Sequence, residues 1–214
     1  MGKFYQFIIE QREKHMEERD ERDAPEVGAC SFLGRQAVGG KPAPTESPPR
    51  LQLPMPDLQL LRLDHAPALL VFERENRAYF AASVPDRGDE FFAEFDTRYA
   101  QLLAWQVAGT DYFHLLAAEG GEVLGRVNLT EVADGSAELG YRIAQKAAGQ
   151  GLATAAVCKV RELAATEYRL SRLRARVTQD NPASRKVLEH NGFVAVGELT
   201  LNGKLAMSYI CELR

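Results

Sequence analysis

The chain has 214 residues, 45% hydrophobic and 26% charged, which fits one ordinary domain with an appendage and excludes wholesale disorder or a fibrous repeat. A net charge of −4 with a pI near 5.7 lacks the basic excess that an extended nucleic-acid footprint needs. Cys30, Cys158 and Cys211 are odd in number, far apart and without CxxC spacing, so neither a disulfide framework nor a cysteine zinc site is implied. No apolar run approaches the roughly 18 residues of a membrane span, and Lys3 is followed by no uninterrupted apolar stretch of the secretory kind. A reducing, cytoplasmic setting is therefore expected, with no nucleic-acid, membrane or metal partner.

Residues 1–23 open with Phe4, Tyr5, Phe7, Ile8 and Ile9 and run into a charged stretch in which Glu10 and Lys14, or Glu18 and Arg22, stand at helical spacing. This reads as a solvated helix; no apolar heptad continues past Met16 to support a coiled coil. Residues 24–56 hold seven of the ten prolines and read as a linker. Residues 1–55 are thus expected to be a flexible extension, and residues 56–214 the functional domain.

From Leu58 the punctuation becomes regular. LQLLRL is a strand, and Asp64 is a plausible N-cap for a helix carrying Leu69, Leu70, Phe72 and Tyr79. Pro85, Asp86 and Gly88 mark a turn before an aromatic-rich amphipathic helix over 89–107, whose rings read as core. YFHLLAA and EVLGRVNLT are strands around Gly120-Gly121. SAELGYRI alternates Ala137, Leu139, Tyr141 and Ile143 against Glu138, Gly140 and Arg142. A helix over 150–168 follows, then strand LRARVT, a short helix opened by Asn181 and Pro182 and stopped by Gly192, and two strands joined by Asn202-Gly203. The order describes a single α/β domain with a mixed central sheet and flanking helices.

The informative segment runs from Gly140 to Thr154. A strand ends at Ile143, and Gly149 and Gly151 sit where the next helix begins. A helix start presents unpaired N–H groups and the positive end of the macrodipole, and glycines let the backbone approach an anion, which suits a pyrophosphate. A Rossmann fingerprint would want a small third residue where Thr154 stands, and a parallel βαβ unit; a Walker loop would need Gly-Lys-Ser/Thr. A small-residue helix start with no ligand also stays open for this loop alone. Further on, Asn181 and Ser184 stand three apart across a helix start, a spacing that equally fits simple capping.

Taken together, KAAGQGLA and VTQDNPASRKVLEHNGF resemble the pyrophosphate loop and the Asn-x-x-Ser…Gly-Phe segment of the GNAT superfamily of acetyl-CoA-dependent N-acetyltransferases, with Lys146 in the usual Arg/Gln place. Within it the chain looks most like the ribosomal-protein N-terminal acetyltransferases of the RimJ/RimL type, through ENRAYF (Glu75 to Phe80) and the ELGY strand. The resemblance implies a GNAT fold over residues 56–214, acetyl-CoA as co-substrate, and an opening where SAELGYRI and LRARVT part. It implies that groups around Arg142 to Ala144 are free for the pantetheine arm. The pyrophosphate would lie on the amides of Gly149, Gln150, Gly151, Leu152, Ala153 and Thr154, with Asn181 and Ser184 near the sulfur and a backbone N–H near Ile143 stabilising the oxyanion.

The acceptor is expected to be a primary amine, most readily a protein or peptide N-terminus, since an α-amine of pKa about 7.7–8.0 is partly neutral at pH 7 and lysine at about 10.4 is not. Glu138 is the first choice for general base and Ser184 for hydrogen-bonding the thiolate; Tyr141 and Tyr209 are weaker choices for the latter, and Glu198 is next as base. The RimJ/RimL pattern often has an Asp-His-like pair where this chain has Ala206-Met207, so a small-molecule amine, or a non-catalytic acyl-CoA-binding module, remains an alternative. The sequence leaves monomer and homodimer both open.

Overall fold

The computed structural model describes residues 56–213; the expected N-terminal helix, the linker and Cys30 lie outside them. A seven-stranded sheet has the order β1-β2-β3-β4-β5-β7-β6. The strands are β1 (Asp57–Leu60), β2 (Tyr112–Ala117), β3 (Val123–Ala133), β4 (Ser136–Ile143), β5 (Arg172–Thr178), β6 (Val194–Leu201) and β7 (Lys204–Glu212). All neighbours pair antiparallel except β4 and β5, so the sheet is mixed. The helices are α1 (Ala66–Glu75), α2 (Arg77–Ala81), α3 (Gly88–Ala93), α4 (Phe95–Ala108), α5 (Leu152–Thr166) and α6 (Pro182–His190).

Alternation of side chains along the strands sorts two cores onto the two faces of the sheet. On one face Leu129, Ala137, Leu139, Leu173 and Ala175 meet Ala156, Val157 and Val160 of α5 and Leu188 of α6. On the other, Leu69 and Phe72 of α1, Phe80 of α2, Phe91 of α3 and Phe95 and Tyr99 of α4 cover Phe113 and Leu115. The aromatics of the expected helix 89–107 are therefore core, as read. Phe91 and Phe95 meet edge to face at 6.0 Å, and Tyr99 donates its hydroxyl to the Arg62 carbonyl.

Three boundaries differ from the expectation. Asp64 does not cap a helix: its carboxylate is held by Arg62 at 3.1 Å, and α1 starts after a 3-10 turn at Leu63–His65 with Pro67 in its first turn. The helix carrying Leu69 to Tyr79 is kinked at Asn76, because the Asn76 carboxamide turns back to donate to the Phe72 carbonyl at 2.9 Å, in competition with the backbone ladder. The helix over 89–107 changes direction at Glu94 between α3 and α4, with i→i−4 bonds continuing through it from Glu94 to Glu90 and from Arg98 to Glu94. The Asn202-Gly203 hairpin forms as expected, both residues at positive φ (51° and 76°) as a type I′ turn requires. A second such turn, Asp134-Gly135, joins β3 to β4.

A buried ion cluster joins the helical layer to the sheet. The Glu73 side chain on α1, 1% exposed, is met by Arg126 of β3 at 2.9 Å, Arg87 at 3.3 Å and Arg142 of β4 at 3.4 Å. Burial acts against the charged carboxylate, yet the three guanidiniums and the Arg126 hydrogen bond together hold its pKa below the ordinary glutamate value. Its stabilising contribution is then complete above the unfolded carboxylate pKa near 4.5 and is lost as pH falls through the lower folded value. Removing one partner of a buried pair costs about 3–5 kcal/mol. Glu73→Gln is expected to lower the urea midpoint at pH 7 accordingly, with the gap from the parent constant down to about pH 5 and closing below it; a gap that widened on acidification would refute the assignment.

Candidate active site

β4 and β5 pair for only three rungs, Ser136 with Arg172, Ala137 with Leu173 and Glu138 with Arg174. Beyond Glu138 they part, although β4 stays paired to β3 as far as Ile143 and β5 to β7 as far as Thr178. The expected opening between SAELGYRI and LRARVT is present. The Ala144 N–H donates to the Leu124 carbonyl at 2.8 Å, which sets the alternation of the antiparallel ladder. Arg142 and Ala144 therefore turn their backbone groups toward β3, and Tyr141 and Ile143 turn theirs into the opening. This corrects the expected span of free groups, Arg142 to Ala144: the sequence marked the strand end but not its parity.

Two cavities meet at this gap. One, of about 380 Å³, lies toward the α5–α6 face and is bordered by Ile143, Gly149, Gly151, Leu152, Ala153 and Thr154. The other, of about 540 Å³, lies toward the α1–α2 face and is bordered by Glu138, Arg142, Arg176 and Arg87. Tyr141, Asn181 and Ser184 belong to both walls, as do Ser83 and Val84 after α2.

In the smaller cavity Gly149 and Gly151 have φ of 72° and 82°, and a Cβ at either would meet nothing within 4 Å. Positive φ is what makes glycine necessary here, and the open space is what leaves the backbone approachable. No side chain caps α5, and its first intrahelical bond runs from the Ala155 N–H to the Gly151 carbonyl. The amides of Leu152, Ala153 and Thr154 thus have no intrahelical partner and point out of the helix start, where the macrodipole is positive. Such a cradle fits a pyrophosphate. The Gln150 side chain turns back to the Lys146 carbonyl (3.0 Å) and Lys146 pairs with Glu122, so neither side chain is aimed into the loop.

Two buried asparagines brace that loop. Asn76 accepts the Gln145 N–H at 2.8 Å, tying the α1–α2 junction to the turn that leads into it. Asn191, after α6, donates to the Thr154 carbonyl at 3.1 Å in the first turn of α5. Asn76 lies within ENRAYF, but its role needed the fold to bring Gln145 beside it.

At the junction Asn181 accepts the Ser184 N–H at 3.0 Å, so it caps α6 and lines the site at once. The Ser184 hydroxyl is 2.7 Å from the Tyr141 hydroxyl. Burial raises the Tyr141 pKa, against the Ser184 hydrogen bond, and keeps the phenol protonated at neutral pH. Tyr141 and Ser184 thus form a hydrogen-bonded hydroxyl pair on the wall that the two cavities share. Tyr209 is buried in the α5–α6 core and Glu198 is exposed on edge strand β6; neither borders the cavities. Glu138 stands on the last rung before the gap, with its Oε1 held by Arg176 at 2.9 Å. The larger cavity is also bordered by Ala81–Pro85, while Phe91, Phe95, Tyr99, Leu102 and Trp105 of the aromatic-rich segment border a separate small space of about 60 Å³.

Three solved structures share this architecture. The ribosomal-protein-S5-alanine acetyltransferase from Vibrio fischeri is 21% identical with a TM-score of 0.68, over 73% of this chain and 92% of that one. RimJ from Mycobacterium smegmatis, solved with CoA-disulfide, is 24% identical with a TM-score of 0.65, over 72% and 80%. The spermidine N-acetyltransferase from Vibrio cholerae, solved with CoA and spermine, is 19% identical with a TM-score of 0.62, over 73% and 95%. No curated protein matches the chain in sequence. Residues 57–194 match the family described as acetyltransferase (GNAT) domain. With its parted strands, its glycine cradle and that match across most of its length, the chain belongs to the GNAT acetyltransferases, the family that uses acetyl-CoA as co-substrate.

Proposed function

We propose that this enzyme acetylates the N-terminal α-amine of a protein or peptide, and that residues 56–214 are its catalytic unit. The observation that carries the reading is the meeting of the two cavities: a cradle for an anionic cofactor on one side, and on the other a separate space of about 540 Å³, within the range of ligand sites. The Vibrio fischeri neighbour acts by name on an alanine of ribosomal protein S5, and the Vibrio cholerae one on spermidine. An α-amine is partly neutral at pH 7, which favours it as nucleophile. A cytoplasmic setting agrees with the free thiols of Cys158 and Cys211.

Acetyl-CoA supplies a thioester carbonyl at the gap. Gly149, Gly151 and the amides of Leu152, Ala153 and Thr154 hold the pyrophosphate, and the Ile143 N–H, turned into the opening, stabilises negative charge on the carbonyl oxygen. Glu138 takes the proton of the attacking amine on the acceptor side, directly or through water. As the new C–N bond forms and the C–S bond breaks, the Ser184–Tyr141 pair gives the departing sulfur a hydrogen bond and a proton. A homodimer or a monomer is compatible with this arrangement, since all these groups lie on one chain.

Three outcomes are expected. Gly151→Asp places a carboxylate in the cradle and should weaken CoA binding at least tenfold by calorimetry, while Gly151→Asn, which tolerates positive φ without the charge, should weaken it less; equal affinity in the Asp variant and the parent would remove the cradle from the site. Glu138→Gln should lower kcat by about 10²–10⁴, with partial recovery at high pH where the amine loses its proton unaided; an unaltered pH–rate profile would place the base elsewhere. Mass spectrometry after incubation with acetyl-CoA should show acetylation of peptides with free Ala, Ser or Thr N-termini and little on N-blocked peptides carrying only lysine. Modification confined to lysine, or to a small amine alone, would reject the N-terminal reading.

A further inference from the structure

β3 and β4 fall out of step beside the larger cavity. Thr130 pairs with Glu138 and Ala133 with Ser136, so Glu131 and Val132 together oppose Ala137 alone. Two residues against one make a β-bulge, a device that re-aims a side chain and recurs beside active sites. Glu131 takes the first bulge position with φ of 55°, in the left-handed region that glycine enters freely and a long side chain does not. The bulge is tied to the residues leading into β2: the Glu131 N–H donates to Asp111 Oδ1 at 3.3 Å and the Val132 N–H to the Thr110 carbonyl at 2.9 Å. Glycine would fit this backbone with less strain, which raises the question of what the glutamate side chain does there.

Glu131 and Glu138 both border the larger cavity, and they are held differently. Glu138 Oε1 accepts from Arg176 Nε at 2.9 Å, whereas the Arg174 guanidinium stands 3.6 Å from Glu131 Oε2, outside hydrogen-bond reach. A carboxylate offers about four lone-pair sites. Among the described residues, then, Glu131 keeps acceptor capacity toward the cavity that Glu138 has partly committed. The other charged residues on this wall, Arg87, Arg142, Arg176 and Lys204, are cations. An ammonium group entering the cavity is attracted by the two carboxylates and repelled by the rest, and Glu131 is the carboxylate that the bulge aims.

We infer that Glu131 is a specificity-determining residue that receives the acceptor's ammonium group and holds it beside Glu138 before the proton is taken. The inference rests on the reading of the larger cavity as the acceptor's side, and it holds for an α-amine or a small amine alike. An α-amine of pKa about 7.7–8.0 arrives mostly protonated at pH 7, so an anionic receiver meets the form that predominates. The two carboxylates then divide the work: Glu131 serves binding and Glu138 serves proton removal.

In the full-length enzyme Glu131→Gln should raise KM for a peptide with a free Ser N-terminus about tenfold, the scale of one hydrogen bond to a charged group. kcat and the Kd of CoA should stay near the parent values, and Glu131→Asp should recover part of the loss. A second measurement needs no turnover. A peptide whose N-terminus is trimethylated carries a permanent cation, and one with a tert-butyl group in the same place is its neutral isostere. By calorimetry the preference for the cation over the isostere should fall about tenfold in Glu131→Gln relative to the parent. Glu131→Gly should lose the same preference with an undiminished Tm, because glycine relieves the positive φ; a merely structural role would instead lower Tm and weaken both peptides equally. A cation preference that survives in Glu131→Gln, or a fall in kcat at unchanged KM, would overturn the inference even though the N-terminal reading stood. If no peptide reacts but a small amine does, and Glu131→Gln raises its KM in the same way, the N-terminal reading fails and the role of Glu131 stands.

Discussion

Everything chemical in this chain depends on a parallel strand pair that stops after three rungs. β4 and β5 can separate because each remains hydrogen-bonded along its other edge, β4 to β3 and β5 to β7, so the opening exposes one side of each strand and unravels neither. The net worth of each forgone backbone bond is about 0.5–1.5 kcal/mol, a modest cost beside the cores packed on both faces. In return the middle of the sheet gains a passage from the α5–α6 face to the α1–α2 face. A glycine cradle that fits an anion on one side and a second cavity on the other then open onto the same few backbone atoms.

A gap in a sheet must be kept at a fixed width, and polar groups do that here. Asn76 and Asn191 each pin a loop or helix start through directional hydrogen bonds, Asn76 from the α1–α2 side and Asn191 from the α6 side. The Glu73 cluster fixes the same α1 to β3 and β4. Apolar packing alone would accept a small slide of α1 along the sheet; a carboxamide bonded to one particular N–H does not. The three groups are buried, so their satisfaction is also required for stability.

Local signals made most of this legible. The alternation in SAELGYRI, the turn at Asn202-Gly203, the pair of glycines before α5 and the Asn181-Pro182 helix start each act over a few residues, and each holds in the fold. Asp134-Gly135 was an equally local hairpin signal and passed unread. What could not be read is non-local. Glu73 sits in a helix among other charges and looks like part of its wet face; only the arrival of Arg126 and Arg142, more than fifty residues on, makes it interior. The bond from the Gln145 N–H to Asn76 and the pairing of the Tyr141 and Ser184 hydroxyls likewise join residues far apart in the chain. Glu138 was identifiable as an acid beside the loop, but its ion pair with Arg176 required knowing which strand lies next to β4.

The parted strands also leave an imprint on how protons trade with solvent. Amides at the centre of a sheet are ordinarily among the slowest in a protein to exchange with deuterium, because opening them requires unfolding much of the domain. Tyr141 and Ile143 lie on a central strand, yet their N–H groups face the gap, while the alternate residues Arg142 and Ala144 are tied to β3. Protection along β4 should therefore alternate residue by residue, with fast sites set between slow ones in the interior of the molecule, and the cofactor's arrival should slow the fast sites alone.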